Sequence, residues 1–417
     1  MSNYKILFKV SSSIAAFKAV SVVSSLVKQG HDVRVLCSPA SLNFVGLSTW
    51  QGVSQNQVHV DQYNNSKNID HIELDRWADG VVLCPASASR INSMATGISN
   101  DLLNDTFLAH DFRKPYLIFP AMNTAMLNHP ATTASIQKLA SWGIEIESTD
   151  SGLLACGENG DGKLLDPEAI VNRILHTISK SKYLQTKSIL ITAGGTSEKI
   201  DQVRHISNLS SGFTGTQLAQ ELYRMGFEVD LVASENAPKI PGIRSHIFTD
   251  HESLKSTLTH LIGHINYDWV IHAAAVSDYL VSSITSNGAI LDSTRKLESN
   301  KNLELHLSPS TKIIGTLDKM SDRLKNLIAF KLTSNANEKG ANEAIARLFK
   351  YKHVRYVIHN DSSQFKNSDK THIFNIFDSN LKKLAMLDGP VELSQQISAL
   401  ISSESNHSVG ESHDLMS

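Results

Sequence analysis

Apolar and polar positions along the chain state one theme twice. Near the start, the strand-like run KILFKV leads into the small-residue loop SSSIAAFK, an apolar helix and then KQGHDVRVLCS. Near the middle, KSILITA leads into GGTSEKIDQVRHISNLSSGFTGTQLAQELYRMGFEVDLVAS. Both units end the helix at a glycine, Gly30 and Gly226, and enter a second strand, GHDVRVL against GFEVDLV. Glycine at the helix C′ position followed by a β-branched run is the expected helix-to-strand junction. A strand, loop, helix and strand with a short crossover implies parallel strands, so the pattern predicts an α/β chain of two doubly wound parallel-sheet (Rossmann-like) domains. Further strands read at GVVLCPA, PYLIFPA, WVIHAAAV, LIAFKL and YVIHN. The polar segment HTISKSKYLQTKS, around 176–188, reads as the linker. It sets the first domain at 1–180 and the second at 186–400. The Ser-rich stretch over 401–417 has too little apolar surface to fold and is expected to be disordered.

Composition narrows the classes of function. A chain of 417 residues is long enough for a core in each half. A net charge of −2 argues against a nucleic acid held by bulk electrostatics. Lys5, Lys9 and Lys18 interrupt the apolar N-terminus, so no signal peptide is read there. No apolar run approaches the roughly 20 residues of a membrane span. Cys37, Cys84 and Cys156 are too few and too scattered for a disulfide framework or a cysteine-based metal site. A reducing cytoplasm is the expected compartment.

In an open parallel sheet, ligands sit beyond the carboxyl ends of the strands, where helix N-termini point free N–H groups. The candidates are therefore the residues that follow each strand. They include Ser11, Ser12 and Ser13, Ser87, Met122 and Asn123, Gly194, the segment from Ala273 through Ala275 to Asp278, and Asn360. Asn123 reads either as a helix cap or as a functional amide. Gly152, Gly157, Gly160 and Gly162 surround Cys156 and describe a mobile flap, on which a thiol is either incidental or brought in on closure. His71 stands one turn ahead of an apolar strand, and as an isolated histidine it reads as a surface residue or as a group held over a site at the strand's end.

The segments SSSIAAFK, HIELDRWAD, PAS, GISNDLL, PAMNTAM and DSGLLACGENGDGKLLDP come in an order and at a spacing that resemble the flavin-dependent cysteine decarboxylases, specifically those acting on phosphopantothenoylcysteine. GGTSEKID, VRHISNLSSGFTG, AAAVSDY and AFKLTSN resemble the phosphopantothenate–cysteine ligases. Apart from its tail, the chain is similar to the bacterial bifunctional enzymes that join the two activities for coenzyme A synthesis.

The resemblance implies a flavoprotein-like first domain with FMN at its strand ends, its phosphate met by Ser11, Ser12, Ser13 and Ser87, and Met122 lining the pocket. Asn123 would bond the departing carboxylate, His71 would serve as base or orienting group, and Cys156 would supply a proton in the reductive half. A lid would shield the reactive product of decarboxylation. The second half would ligate cysteine to 4′-phosphopantothenate through an acyl-cytidylate made from CTP with Mg2+ or Mn2+. There Asn208 would handle the acyl-cytidylate, and Ser211, Gly212, Gly215 and Ala275 would line the nucleotide loop. Asp278 would hold metal-bound CTP, Lys296 would be the phosphate lysine, and Lys331 a second cation.

A homo-oligomer follows from the same resemblance, trimer-based and extending to a dodecamer. The chain departs from the family pattern at Lys9 and Ser12, where glycines are usual, and at Leu127, where an aromatic is usual. It departs again at Ser197, at Phe213 in place of a lysine, and at Ser334. Two alternatives stay open: a decarboxylase with a degenerate ligase half, and a flavin-binding regulatory protein without chemistry.

Overall fold

The structure is a computed structural model and describes residues 3–60, 70–300, 302–320, 324–364 and 372–407. The chain divides into two compact units, Met1–Gln185 and Thr186–Ser417.

In the first unit the order is β1 (Lys5–Val10), α1 (Ala16–Lys28), β2 (Asp32–Cys37), α2 (Leu47–Ser54), α3 (Asp70–Trp77), β3 (Gly80–Ala86), α4 (Ala88–Thr96) and α5 (Leu102–Leu108). Then come β4 (Tyr116–Pro120), α6 (Thr124–Leu127), α7 (Pro130–Ser141), β5 (Glu145–Ile146), β6 (Asp150–Leu153), β7 (Asn159–Lys163) and α8 (Pro167–Tyr183). Among the described residues, five strands form a parallel sheet in the order β2-β1-β3-β4-β5. Strand alternation divides the core. Ile6, Phe8 and Val10 face α1 and α8, whereas Leu7 faces α3, α4, α5 and α7. On α1, Ala16, Ala19, Val22, Val23 and Leu26 recur at helical spacing and form the buried stripe.

The second unit runs β8 (Ser188–Ala193), β9 (Ser197–Lys199), β10 (His205–Ser207), α9 (Phe213–Arg224), β11 (Glu228–Ser234), β12 (Arg244–Phe248), α10 (His251–His264) and β13 (Trp269–His272). It continues with β14 (Tyr279–Ser286), β15 (Ala289–Ile290), β16 (Glu304–Pro309), α11 (Ile313–Met320), β17 (Leu327–Thr333), α12 (Glu338–Leu348), β18 (Val354–Asp361), β19 (Ile373–Phe377), β20 (Lys383–Asp388) and α13 (Gly389–His407). Its main sheet has the order β12-β11-β8-β13-β17-β18-β19-β20, parallel as far as β18 and antiparallel beyond. Helices α9 and α13 cover one face, and α10, α11 and α12 the other. Strands β14, β15 and β16 form a separate antiparallel sheet.

The doubly wound architecture expected from the repeated pattern is present in both units, and each strand read from an apolar run is a strand. Two expectations about polar segments are corrected. Residues 176–183, read as linker, continue α8, because Ile170, Ile174 and Ile178 place one face of that helix in the core. Residues 401–407, read as disordered, end α13, where Leu393, Ile397 and Ile401 are fully buried against α9 and the sheet. Residues 408–417 lie outside the described part.

Candidate functional site

The first unit carries a cleft of about 440 Å³ at the carboxyl ends of β1 and β4, lined by Ser13, Met122, Asn123 and Cys156 among others. Strand β1 ends at Val10, and α1 begins only at Ala16. In the loop between, the amides of Ser12, Ser13 and Ile14 have no hydrogen-bond partner among the described residues. Three open amides ahead of a helix N-terminus are a ready anion cradle. Lys18 and Lys163 also line the cleft. Sequence reasoning gave neither lysine a role, although both lie within the quoted motifs.

The four serines expected at the phosphate fare differently. The Ser11 hydroxyl is buried, donates to the Pro85 carbonyl at 2.8 Å and accepts from the Ser87 N–H at 2.9 Å. It therefore ties the ends of β1 and β3 together and is not open to a ligand. The Ser13 hydroxyl lies 3.4 Å from the Ala121 carbonyl and accepts from the Ala15 N–H, leaving its amide to face the cleft. Ser12 is exposed, and Ser87 is the N-cap of α4 with no side-chain cap bond.

Asn123 takes the first of its two readings, the helix cap, and leaves its amide nitrogen to other partners. Its Oδ1 accepts from the Ala125 N–H at 2.8 Å and caps α6. That bond requires oxygen on the capping side, so the NH2 group must face the other way. There it donates to Glu158 Oε2 at 3.0 Å and lies 3.4 Å from Cys156 Sγ. The Cys156 thiol in turn reaches the same Glu158 oxygen at 3.7 Å. Amide, thiol and carboxylate thus converge at the mouth of the cleft. Glu158 escaped the sequence reading because an acidic residue in a glycine-rich turn looks like ordinary solvated polarity.

The glycine-rich segment, expected to be a mobile flap rather than a packed element, is an antiparallel hairpin of β6 and β7 with Cys156 in its turn. The hairpin is docked on the loop after β4. The Met122 N–H donates to the Gly162 carbonyl at 3.0 Å, and Thr124 Oγ1 donates to the Asp161 carbonyl at 2.6 Å. Gly162 has φ +116°, and a Cβ there would meet the Met122 carbonyl oxygen at 2.1 Å. Close backbone approach, as much as flexibility, is what this glycine supplies.

His71 lies in the first turn of α3, half-buried, and is not among the residues that line the cleft of its own chain. GISNDLL acquires a structural role. Asp101 accepts from the Asn104 N–H as N-cap of α5 and is ion-paired with Arg90, which also donates to Asn104 Oδ1 at 2.7 Å.

The second unit has a cleft of about 240 Å³ lined by Ser211, Gly212, Phe213, Gly215, Ala275 and Asn360, with further residues of the same loops. Gly212 takes the left-handed conformation as N-cap of α9. The amides of Ser211, Gly212, Thr214 and Gly215 have no partner among the described residues, which makes this helix start a second anion cradle. At Gly215 a Cβ would meet that of Ala193 at 2.7 Å, so glycine lets α9 close on the end of β8. Asn208 Nδ2 donates to the Ala275 carbonyl at 3.0 Å, joining two loops of the cleft. Behind them the buried His272, whose pKa burial lowers to about 4, lies 2.9 Å from Thr192 Oγ1 as a neutral ring. Asp361 receives Thr333 Oγ1 and the amides of Asn335, Ala336 and Ser363. Together with the Ser363 hydroxyl, whose bond to Oδ1 is the largest single cause, they hold its carboxyl well below the usual range and pin the loop after β17.

The three charged residues expected at the nucleotide do not line this cleft. Lys331 is displaced by strand alternation: Phe330 and Leu332 face the cleft, and the residue between them points to the opposite side of the sheet. Lys296 is exposed in the loop between β15 and β16. Asp278 is exposed and ion-paired with Lys312, a cation that sequence reasoning missed. Among the described residues, no group of three or more His, Cys, Asp or Glu side chains could hold a metal ion, and no helix is long and apolar enough to cross a membrane.

The family model described as Flavoprotein matches residues 1–179, and that described as DNA/pantothenate metabolism flavoprotein C-terminal domain matches residues 184–403. The coenzyme A biosynthesis bifunctional protein CoaBC of Vibrio parahaemolyticus serotype O3:K6 is 32% identical over 87% of this chain and 88% of its own. The protein of that name from Escherichia coli strain K12 is 31% identical over 97% of each chain. Among solved structures, the DNA/pantothenate metabolism flavoprotein from Streptococcus pneumoniae is 24% identical with a TM-score of 0.47, covering 52% of this chain and 100% of that one.

Proposed function

The chain belongs to the family of coenzyme A biosynthesis bifunctional proteins CoaBC and is a decarboxylase–ligase; on that premise we propose that FMN serves its first reaction and CTP its second. The observation that carries the first part is the meeting of Asn123 and Cys156 at a cleft whose far side is an open amide cradle. The residues fit FMN: the amides of Ser12, Ser13 and Ile14 suit its phosphate, and the apolar lining from Ala121, Met122 and Leu153 suits its ring. Once bound, the flavin supplies a two-electron oxidation at the cysteinyl side chain and its reversal.

The remaining work falls to the chain. Asn123 offers a neutral N–H to the substrate carboxylate. It orients the group without the ground-state stabilisation that a cation would add against its departure. Cys156 holds a proton on sulfur at the cleft mouth, placed for delivery to the carbon that loses CO2. His71 serves as base or orienting group from a neighbouring copy of the chain, in a trimer-based assembly. Its position outside its own cleft lining supports that reading. His71→Asn is expected to abolish CO2 release and Cys156→Ser to allow it but stall the reductive step, and the two chains co-expressed are then expected to regain 4′-phosphopantetheine formation, since mixed assemblies contain sites with both side chains.

In the second half the amides at the start of α9 would hold the CTP phosphates, and Asn208 would handle the acyl-cytidylate of 4′-phosphopantothenate before cysteine attacks. Asp278, which the resemblance would give to metal-bound CTP, does not fit that role here, since it lies off this cleft and is paired with Lys312. One observation favours a weakened ligase: Phe213 occupies the cradle, and Lys296 and Lys331 do not line it.

A single assay separates the readings. Purified protein given FMN, 4′-phosphopantothenate, cysteine, CTP and Mg2+ is expected to form 4′-phosphopantetheine, CO2 and pyrophosphate. Decarboxylation of supplied phosphopantothenoylcysteine without CTP-dependent pyrophosphate release would mark a decarboxylase with a degenerate ligase half. Failure to take up FMN would remove the reading of the first half.

A further inference from the structure

We infer that Glu158 is a positioning residue of the decarboxylation site, its Oε2 gathering the Asn123 amide and the Cys156 thiol into one arrangement; this rests on the decarboxylase reading above. Asn123 has two side-chain torsions to fix, and the cap bond from the Ala125 N–H holds its oxygen end. The 3.0 Å bond to Glu158 fixes the nitrogen end, so the NH2 group stays turned toward the cleft. The thiol is the second element. Cys156 lies in an exposed turn, where nothing in the hairpin's own backbone dictates its rotamer. With Sγ 3.7 Å from Glu158 Oε2, its hydrogen is directed at that oxygen, and the contact selects one rotamer of the thiol. A group that must hand over a proton to a defined carbon needs its rotamer held in this way.

Glu158 is two residues from Cys156, and both belong to the turn of the hairpin docked through Gly162. The carboxylate therefore also links the hairpin tip to the loop after β4. Glu158 itself is not among the residues that line the cleft, and it acts through Asn123 and Cys156, which are.

The test uses the accessibility of the three cysteines. Cys37 and Cys84 are fully buried, and burial pushes the Cys37 thiol up to about 12 and the Cys84 thiol higher still. Iodoacetamide applied to the purified full-length protein therefore reads Cys156 alone, and mass spectrometry of its peptide gives the rate. Glu158→Gln, which keeps side-chain size and removes the charge, is expected to raise that rate roughly fivefold at pH 8.

The same variant is expected to lower kcat for CO2 release from phosphopantothenoylcysteine by about tenfold or more with little change in KM. Glu158→Asp, which retains the charge, is expected to recover part of the rate. Alkylation of Glu158→Gln within about twofold of wild type overturns the assignment, whatever the turnover. Faster alkylation in a protein whose wild type releases no CO2 overturns the decarboxylase reading and leaves the contact standing.

Discussion

The Lys9 ammonium nitrogen lies 3.2 Å from the Tyr116 hydroxyl, in the apolar layer that α4 and α5 form over the first sheet. Its other partner is the Leu103 carbonyl at 3.4 Å, and the side chain is fully buried. Desolvation dominates there and lowers the lysine pKa from 10.5 to about 7, although Asp75 pulls the other way. The native protein therefore releases this proton at about pH 7, whereas the unfolded chain keeps it to about 10.5. Between those values the unfolded state binds more protons, so stability rises with pH across the window; below about pH 7 both states are charged and the penalty is constant. Lys9→Met should stabilise the protein at pH 7 by about 2 kcal/mol, less than the full desolvation cost because the Tyr116 hydroxyl loses a partner. Calorimetric melts of both proteins from pH 7 to 10 check this. An equal pH slope in wild type and variant would mean that Lys9 is solvated in the native state.

The hairpin bearing Cys156 depends on Gly162. Its φ of +116° strains any other residue, and a Cβ would meet the Met122 carbonyl oxygen. Gly162→Ala is expected to undock the hairpin and to cost about 1–3 kcal/mol locally, with the parallel sheet intact. Limited proteolysis should then cut within residues 150–163 faster than in wild type, and CO2 release should fall with it. A crystal structure of the variant with the hairpin in place would disprove the docking role.

The parallel sheets were legible because burial on both faces leaves near-continuous apolar runs such as VVLC and ILIT, and the α1-to-β2 and α9-to-β11 junctions carry Gly30 and Gly226. The antiparallel sheet of β14, β15 and β16 left no comparable trace, since most of its residues are exposed and nothing selects one face. At the first site Asn123, Met122 and Cys156 could be named from motif order, and the cleft brings them together. Glu158 could not be named, because its significance is a distance across the docked hairpin and not a spacing. Glycines in that hairpin suggested mobility. Two of their functions, close approach and positive φ, are indistinguishable from flexibility in a sequence alone. Lys331 shows the converse limit: it sits at the right strand end, but a period of two decides which face it serves.

Phe213 opens α9 inside the second cleft, beside amides suited to phosphate. An ammonium group at this position would add a charge-assisted contact to a polyanion. Phe213→Lys is therefore expected to lower KM for CTP about tenfold in the ligase assay, with kcat changed less. Unchanged KM would mean that the triphosphate does not lie along the start of this helix.

Asn123→Asp separates the two jobs of that residue. Aspartate caps helices as well as asparagine does, so the bond from the Ala125 N–H and the stability of α6 should persist. The NH2 group is what disappears. In its place a second carboxylate would face Glu158 at the position now bridged by a 3.0 Å hydrogen bond. Like charges there would push the hairpin tip away and repel the substrate carboxylate. Loss of one charge-assisted hydrogen bond, worth about 1.5–3 kcal/mol, already predicts a fall in CO2 release on the order of 100-fold. Thermal midpoints should match wild type while turnover collapses. Retained turnover would show that the amide of Asn123 serves only the helix it caps.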